Sequence, residues 1–255
     1  MVSAGQMAGM VSTILLPLLV AVIPYILIYR RSSKIESGMM GAIGYGFMGF
    51  VWQQLIYLML IILLTYLDTD FQIISGNFIL SSTVYSIICG IFVALGLYWG
   101  IYLTNQKQRS LYRSAVIGIG FGLGSVAWNI WVTYGMTLYE AFRINTGSFS
   151  GEEELKASIL STSVGSMLLD SYKCILLLLI YLGVALIMGK SYLEGTKRTT
   201  WAVPIFVQLF ISLTNAFMRQ YMPALGSKIA FHLILTVMAA AAVWIVVRWL
   251  KTGNH

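Results

Sequence analysis

This sequence carries little charge. Of its 255 residues, nine are acidic, sixteen are lysine or arginine and two are histidine. Charged residues amount to 10%, against roughly 25% in soluble domains, so the chain cannot cover a water-facing surface. A soluble globular fold is excluded. Cysteine is nearly missing as well. Cys89 and Cys174 both fall in apolar runs, which excludes a disulfide framework and a paired-cysteine zinc motif. The opening MVSAGQMAG has no basic residue, so no cleavable signal peptide is expected. No internal repeat is visible, which removes the main sequence argument for an inverted-repeat transporter.

What abounds is apolar: 58% hydrophobic residues and a mean hydropathy of +0.83. Apolar runs cover 10–29, 39–67, 79–104, 114–139, 161–189, 201–218 and 229–249. Each is long enough for the roughly 17–25 helical residues that cross a hydrocarbon core of about 30 Å. The expected fold is all-α: one transmembrane domain over 1–255, a bundle of seven membrane-spanning helices in a lipid bilayer.

The connections alternate in charge. One set, with the C-terminal tail, holds eleven basic residues, from Arg30 and Arg31 to Arg248 and Lys251. The other holds only Arg143, Lys156, Arg219 and Lys228, together with six of the nine acids. The positive-inside rule then puts the N-terminus outside and the C-terminus in the cytoplasm. The net charge of +7 is a topology signal and a contact for anionic lipid, not a nucleic-acid surface. The longest connection, FRINTGSFSGEEELKAS (142–158), is expected to be an outer loop. Its run Glu152, Glu153, Glu154 suits the start of a short helix leading into span five.

Polar residues recur at one depth. With about 1.5 Å of rise per residue, Gln53, Gln54, Asn129, Lys173, Asn215 and His232 lie roughly 21–26 Å from the cytoplasmic ends of their spans. Asp170 lies at about 30 Å by the same rise, one turn beyond Lys173. Ser125 is closer to the midplane. Amides in spans commonly bond a neighbouring helix and do nothing else, and Asp170 and Lys173 are spaced to pair on their own helix. As a set, however, ionisable groups within spans face a bundle interior or a watery cavity. The expectation is a polar chamber in the outer half, lined by Gln53, Gln54, Ser125, Asn129, Asp170, Lys173, Asn215 and His232. The stretch GFGLGSVAWNIW (120–131) sets Ser125 and Asn129 on one helix face. Around its start, Gly118, Gly120, Gly122 and Gly124 form two interleaved small-xxx-small pairs, suited to close helix packing. A dinucleotide site would need a preceding strand and an exposed turn.

The segments GMVSTILLPLLVAVIPYILIYRR (9–31), WQQL (52–55), GIGFGLGSVAWNI (118–130), SMLLDSYKCILLLLIYLGVALIMGK (166–190) and WAVPIFVQLFISLTNAF (201–217) span nearly the whole chain. In order and spacing they resemble the YhfC-type intramembrane metalloproteases of bacteria, distant kin of the CAAX-protease and bacteriocin-processing membrane proteases. The resemblance implies a helical bundle in the bacterial cytoplasmic membrane, with glutamate and histidine around an intramembrane zinc. The chain departs from that pattern at the ligands. The family's histidine and glutamate after the glycine ladder correspond to Ser125 and Asn129, and its span-two glutamate to Gln53. Its later histidines fall near Leu178 and Gln208, and Asp170 is the one carboxylate retained. His232 matches no family motif. Catalytic zinc takes about three protein ligands and an open position, with a carboxylate for general-base work. Serine, asparagine and glutamine do not supply these, so no catalytic residue, metal ligand or cofactor is expected.

Three functions compete. Foremost is a noncatalytic homologue that holds a peptide, a lipid-like ligand or a membrane-protein partner in the outer chamber, in an accessory or immunity-type role. An active metalloprotease with ligands in another register is the second, and would contain zinc. A small-solute or ion permease is the third, and needs a path through an inner half that offers little beyond Ser125, Gln208 and Ser212. The sequence sets neither the partner's identity nor the oligomeric state.

Overall fold

The structure, a computed structural model, describes residues 1–31, 39–68, 76–105, 110–149, 151, 153–222 and 224–252. Among these residues the regular structure is helical: α1 (Ala4–Arg31), α2 (Met39–Asp68), α3 (Phe78–Asn105), α4 (Leu111–Val126), a π turn (Ala127–Trp131), α5 (Val132–Thr146), α6 (Glu153–Ser161), α7 (Val164–Leu193), α8 (Lys197–Tyr221) and α9 (Ala224–Thr252). The stretch α4–π–α5 is one continuous rod. Seven rods are long and apolar enough to cross a membrane. The chain is a multi-pass membrane protein whose outer helix faces contact lipid. Each rod except α7 begins and ends at or beyond the limits of its apolar run, because backbone bonding continues through the interfacial zone after the hydrophobic stretch stops. The α7 rod instead starts three residues late, at the Ser163 N-cap, and ends four residues late.

The connection 142–158 is less of a loop than its composition suggests. α5 continues to Thr146, where Gly147 takes a left-handed conformation (φ 74°) and closes the helix. α6 then begins with Glu153 and Glu154 in its first turn, where the macrodipole favours acids. Glu152 lies outside the described residues. Ser163 caps α7, its hydroxyl accepting the Ser166 amide at 3.2 Å.

Two rods form the axis. In their most apolar windows, 67% of the α4–α5 rod and 72% of α7 are buried, against 28% or less for the other five. The glycine ladder explains how α4 is packed. Successive i, i+4 pairs offset by two residues lie on opposite helix faces. Gly118 and Gly122 face α7, where a methyl group would come within 2.7 Å of Leu182 Cα and 2.8 Å of Leu178 Cα. Gly120 and Gly124 face α2, against the Ile43 carbonyl and the Phe50 ring. α4 is thereby clasped between α7 and α2. α3 packs on α2 at another glycine contact, Gly49 against Gly96, and α8 packs on α3. α9 lies on α7 and α8, and α1 on α7 and α5. Hydrogen bonds tie the amino-terminal end to the last turns of α5 and α6: Val2 N donates to Asn145 Oδ1 at 2.7 Å and Gln6 Nε2 of α1 to the Leu160 carbonyl at 2.9 Å.

Candidate binding chamber

The polar residues share a height but not a place. Phe50 against Gly124 and Leu178 against Gly122 bring Gln53, Ser125 and Cys174 to similar levels along the axis. Around the axis they separate into three groups, which corrects the expectation of one chamber with eight lining residues.

The first group sits on α2. Gln53 is buried beside Gly96 of α3, and its Nε2 donates to Gln54 Oε1 at 3.3 Å. Gln53 borders an apolar groove with Trp52, Phe92 and Trp99. Neither glutamine reaches α7 or α9, because α4 stands between α2 and α7 through the glycine contacts above.

The second group is the pair Ser125 and Asn129, which closes on itself. Asn129 Nδ2 donates to the Ser125 carbonyl at 2.8 Å and approaches Ser125 Oγ at 3.3 Å. Between them the helix widens: the Val132 amide bonds back five residues, to the Ala127 carbonyl. A widened turn shifts the register of the hydrogen-bond ladder, and the asparagine amide supplies an added donor where that shift occurs. The polar pair in GFGLGSVAWNIW is thus a brace for a π turn. Asn129→Ala is expected to destabilise the protein by about 0.6–2 kcal/mol and to speed amide exchange at Ile130–Val132. An unchanged melting temperature and exchange pattern would refute the brace.

The third group makes a cavity of about 240 Å³ between α7, α8 and α9, at the end of the bundle where α1 starts. Asp170, Lys173, Asn215 and His232 all border it. Asp170 and Lys173 do not pair, because the carboxylate is taken up across the helix interface. Tyr134 Oη donates to Asp170 Oδ2 at 2.7 Å, tying α5 to α7. His232 acts as a strut: Nδ1 lies 2.6 Å from the Lys228 carbonyl and Nε2 lies 3.1 Å from the Leu169 carbonyl, so the ring links α9 to α7. Tyr172 stacks on it at 10°, its centroid 6.1 Å away, and shares a 2.8 Å hydrogen bond with Thr236.

Sequence reasoning missed five polar contributors. Arg219 and Lys228 also border the cavity, as do Ser166 and Ser227. The two cations were visible as the only basic residues between the sixth and seventh apolar runs. Tyr134 gave no signal beyond an ordinary interfacial tyrosine.

The positions that the metalloprotease resemblance assigns to ligands do not form a zinc site. Leu178 packs on Gly122. Gln208 belongs to a separate buried knot, accepting from Tyr181 Oη at 3.1 Å and donating to Ser212 Oγ at 3.2 Å and Cys89 Sγ at 3.4 Å. Among the described residues, no three histidine, cysteine, aspartate or glutamate side chains come together. The residues present suit neutral hydrogen bonding and the placement of cationic side chains. Comparison of the chain with protein-family models, curated proteins and solved structures finds no match.

Proposed function

We propose that this is a noncatalytic protein of the bacterial cytoplasmic membrane that holds a peptide, a lipid-like ligand or a membrane partner in the α7–α8–α9 chamber. It serves in an accessory or immunity-type role, with its N-terminus outside and its C-terminus in the cytoplasm. The charge alternation of the connections supports that orientation, and with it the chamber opens to the exterior. The carrying observation is the convergence of Asp170, Lys173, Asn215 and His232, from three spans, on one cavity. Ionisable groups within spans are costly in lipid and are kept where they do something. The YhfC-type resemblance contributes the expectation of an ancestral polar site, and the replaced ligand positions are the reason for a binding rather than a hydrolytic role.

The test has two parts. In a background with Cys89 and Cys174 changed to serine, Asn215→Cys should be labelled in intact cells by a membrane-impermeant maleimide, whereas Lys251→Cys should not. Protein purified without chelators should contain less than about 0.1 zinc per chain, since a structural or catalytic site binds its metal tightly. Stoichiometric zinc with chelator-sensitive cleavage would replace the binding role by proteolysis. The reverse labelling pattern would overturn the orientation.

A further inference from the structure

Positive charge is concentrated at the chamber beyond what the fold needs. Lys173 from α7, Arg219 from α8 and Lys228 from α9 border it, against the one carboxylate of Asp170, which Tyr134 already engages. Among the described residues, these three cationic groups have no ion-pair or hydrogen-bond partner. The backbone adds the same sign. Ser166 lies in the first turn of α7 and Lys228 close to the start of α9, so the chamber sits at the amino ends of two spanning helices. Each such end carries roughly half a positive charge, and neither helix has an acid in its first turn.

Neither helix stability nor topology accounts for these residues. A lysine near a helix start opposes the macrodipole. With the external orientation proposed above, on which this inference rests, segment 219–228 carries two basic residues and no acid on the side that the positive-inside rule depletes of basic residues. A ligand of opposite charge accounts for both.

We infer that the chamber binds a phosphoryl anion, carried by free phosphate or by a lipid headgroup. Three cations facing one carboxylate leave an excess that matches the charge of about −1.5 to −2 on a phosphomonoester. A carboxylate ligand would neutralise only half of it. A phosphoryl group also offers three oxygens to donors arriving from three helices, and the arginine fork suits it. His232 spans the wall between the Lys228 and Leu169 carbonyls. It sets the spacing of α7 and α9. Leu169, Met218 and Phe231 complete the lining with apolar surface, as the glycerol and upper acyl carbons of a lipid would require.

The experiment titrates the full chain, in maltoside micelles and phosphate-free buffer, with inorganic phosphate and with dihexanoyl phosphatidic acid by calorimetry. At least one probe should bind with a Kd of about 1 mM or tighter. Lys173→Gln and Arg219→Gln should each weaken it at least about tenfold. Lys156→Gln, whose lysine pairs with Glu153 on α6, should leave it unchanged. Melting temperatures confirm that each variant is folded, and Lys228→Gln serves if either of the first two is not. Binding of phosphatidic acid about tenfold tighter than of phosphate identifies a lipid, and equal binding identifies the free anion. Absence of binding by either probe at about 10 mM overturns the inference, as does wild-type binding in the folded variants or equal competition by acetate. Labelling of Asn215→Cys without phosphoryl binding removes the ligand class alone. Phosphoryl binding without labelling removes the external opening alone.

Discussion

Exchanging Gly120 for valine is expected to prevent the bundle from assembling, so that no monodisperse protein is recovered in mild detergent. A side chain at this position would run into the Ile43 carbonyl oxygen, with Ile43 C and Cα at 2.8 and 2.9 Å. All three obstructing atoms are backbone, so no rotamer change relieves them. Overpacking a side chain that can yield costs about 1–3 kcal/mol. Here the whole of α2 must move away, opening the interface that also holds Gly46 against Ile117 and Gly124 against Phe50. The penalty should exceed about 3 kcal/mol, a large share of a typical folding free energy of about 5–15 kcal/mol.

The control is Gly135, in α5 of the same rod. A methyl group there meets nothing within 4 Å, so Gly135→Val should assemble normally. Gly124 should be intermediate, because its obstruction is the Phe50 side chain, with Cβ at 2.6 Å. Recovery of Gly120→Val with a melting temperature within about 2 °C of the parent would mean that α2 and α4 do not meet at Ile43.

Why the ladder could be read from the sequence and the chamber only in part follows from helix geometry. Small residues at this spacing in a span have one strong use, so Gly118 to Gly124 pointed to close helix packing, while the two partners, α7 and α2, were not legible. Height was legible in part. Rise per residue is fixed, which set Gln53 and Lys173 near one depth, whereas Ser125, expected closer to the midplane, lies near that level too because Gly122 meets Leu178. Direction around the axis was not legible, because it depends on which helices are neighbours. Nothing in WQQL reveals that α4 stands between Gln53 and Lys173. The π turn was equally hidden, since Ser125 and Asn129 at i, i+4 look the same in a regular helix. Arg219 and Lys228 were misjudged in kind: counted as the small basic remainder of a topology tally, they border the same cavity as Lys173.

The Tyr134–Asp170 bond offers the sharpest separation of stability from binding. Its 2.7 Å length and ionised acceptor make it one of the stronger contacts in the fold. It joins α5 to α7 directly, beside the contacts that the π turn makes with α7. Hydrogen bonds to charged groups contribute about 1.5–3 kcal/mol and neutral ones about 0.5–1.5 kcal/mol. Tyr134→Phe should therefore lower stability by about the first amount, and Asp170→Asn, whose amide oxygen still accepts the phenol, by about 1 kcal/mol. Because both variants act on one contact, their effects should not add. A double-mutant cycle should return a coupling of about 1–2 kcal/mol, and additive losses would mean that the bond does not form. Anion binding should move the other way. Asp170 is the one carboxylate bordering the chamber, so it repels the ligand that Lys173, Arg219 and Lys228 attract. Asp170→Asn should therefore tighten phosphoryl binding by about tenfold even as the protein becomes less stable. Tyr134→Phe leaves the carboxylate in place and should reproduce the stability loss without the gain in affinity. A variant that loses stability and affinity together would show that Asp170 holds the chamber in shape rather than setting its charge.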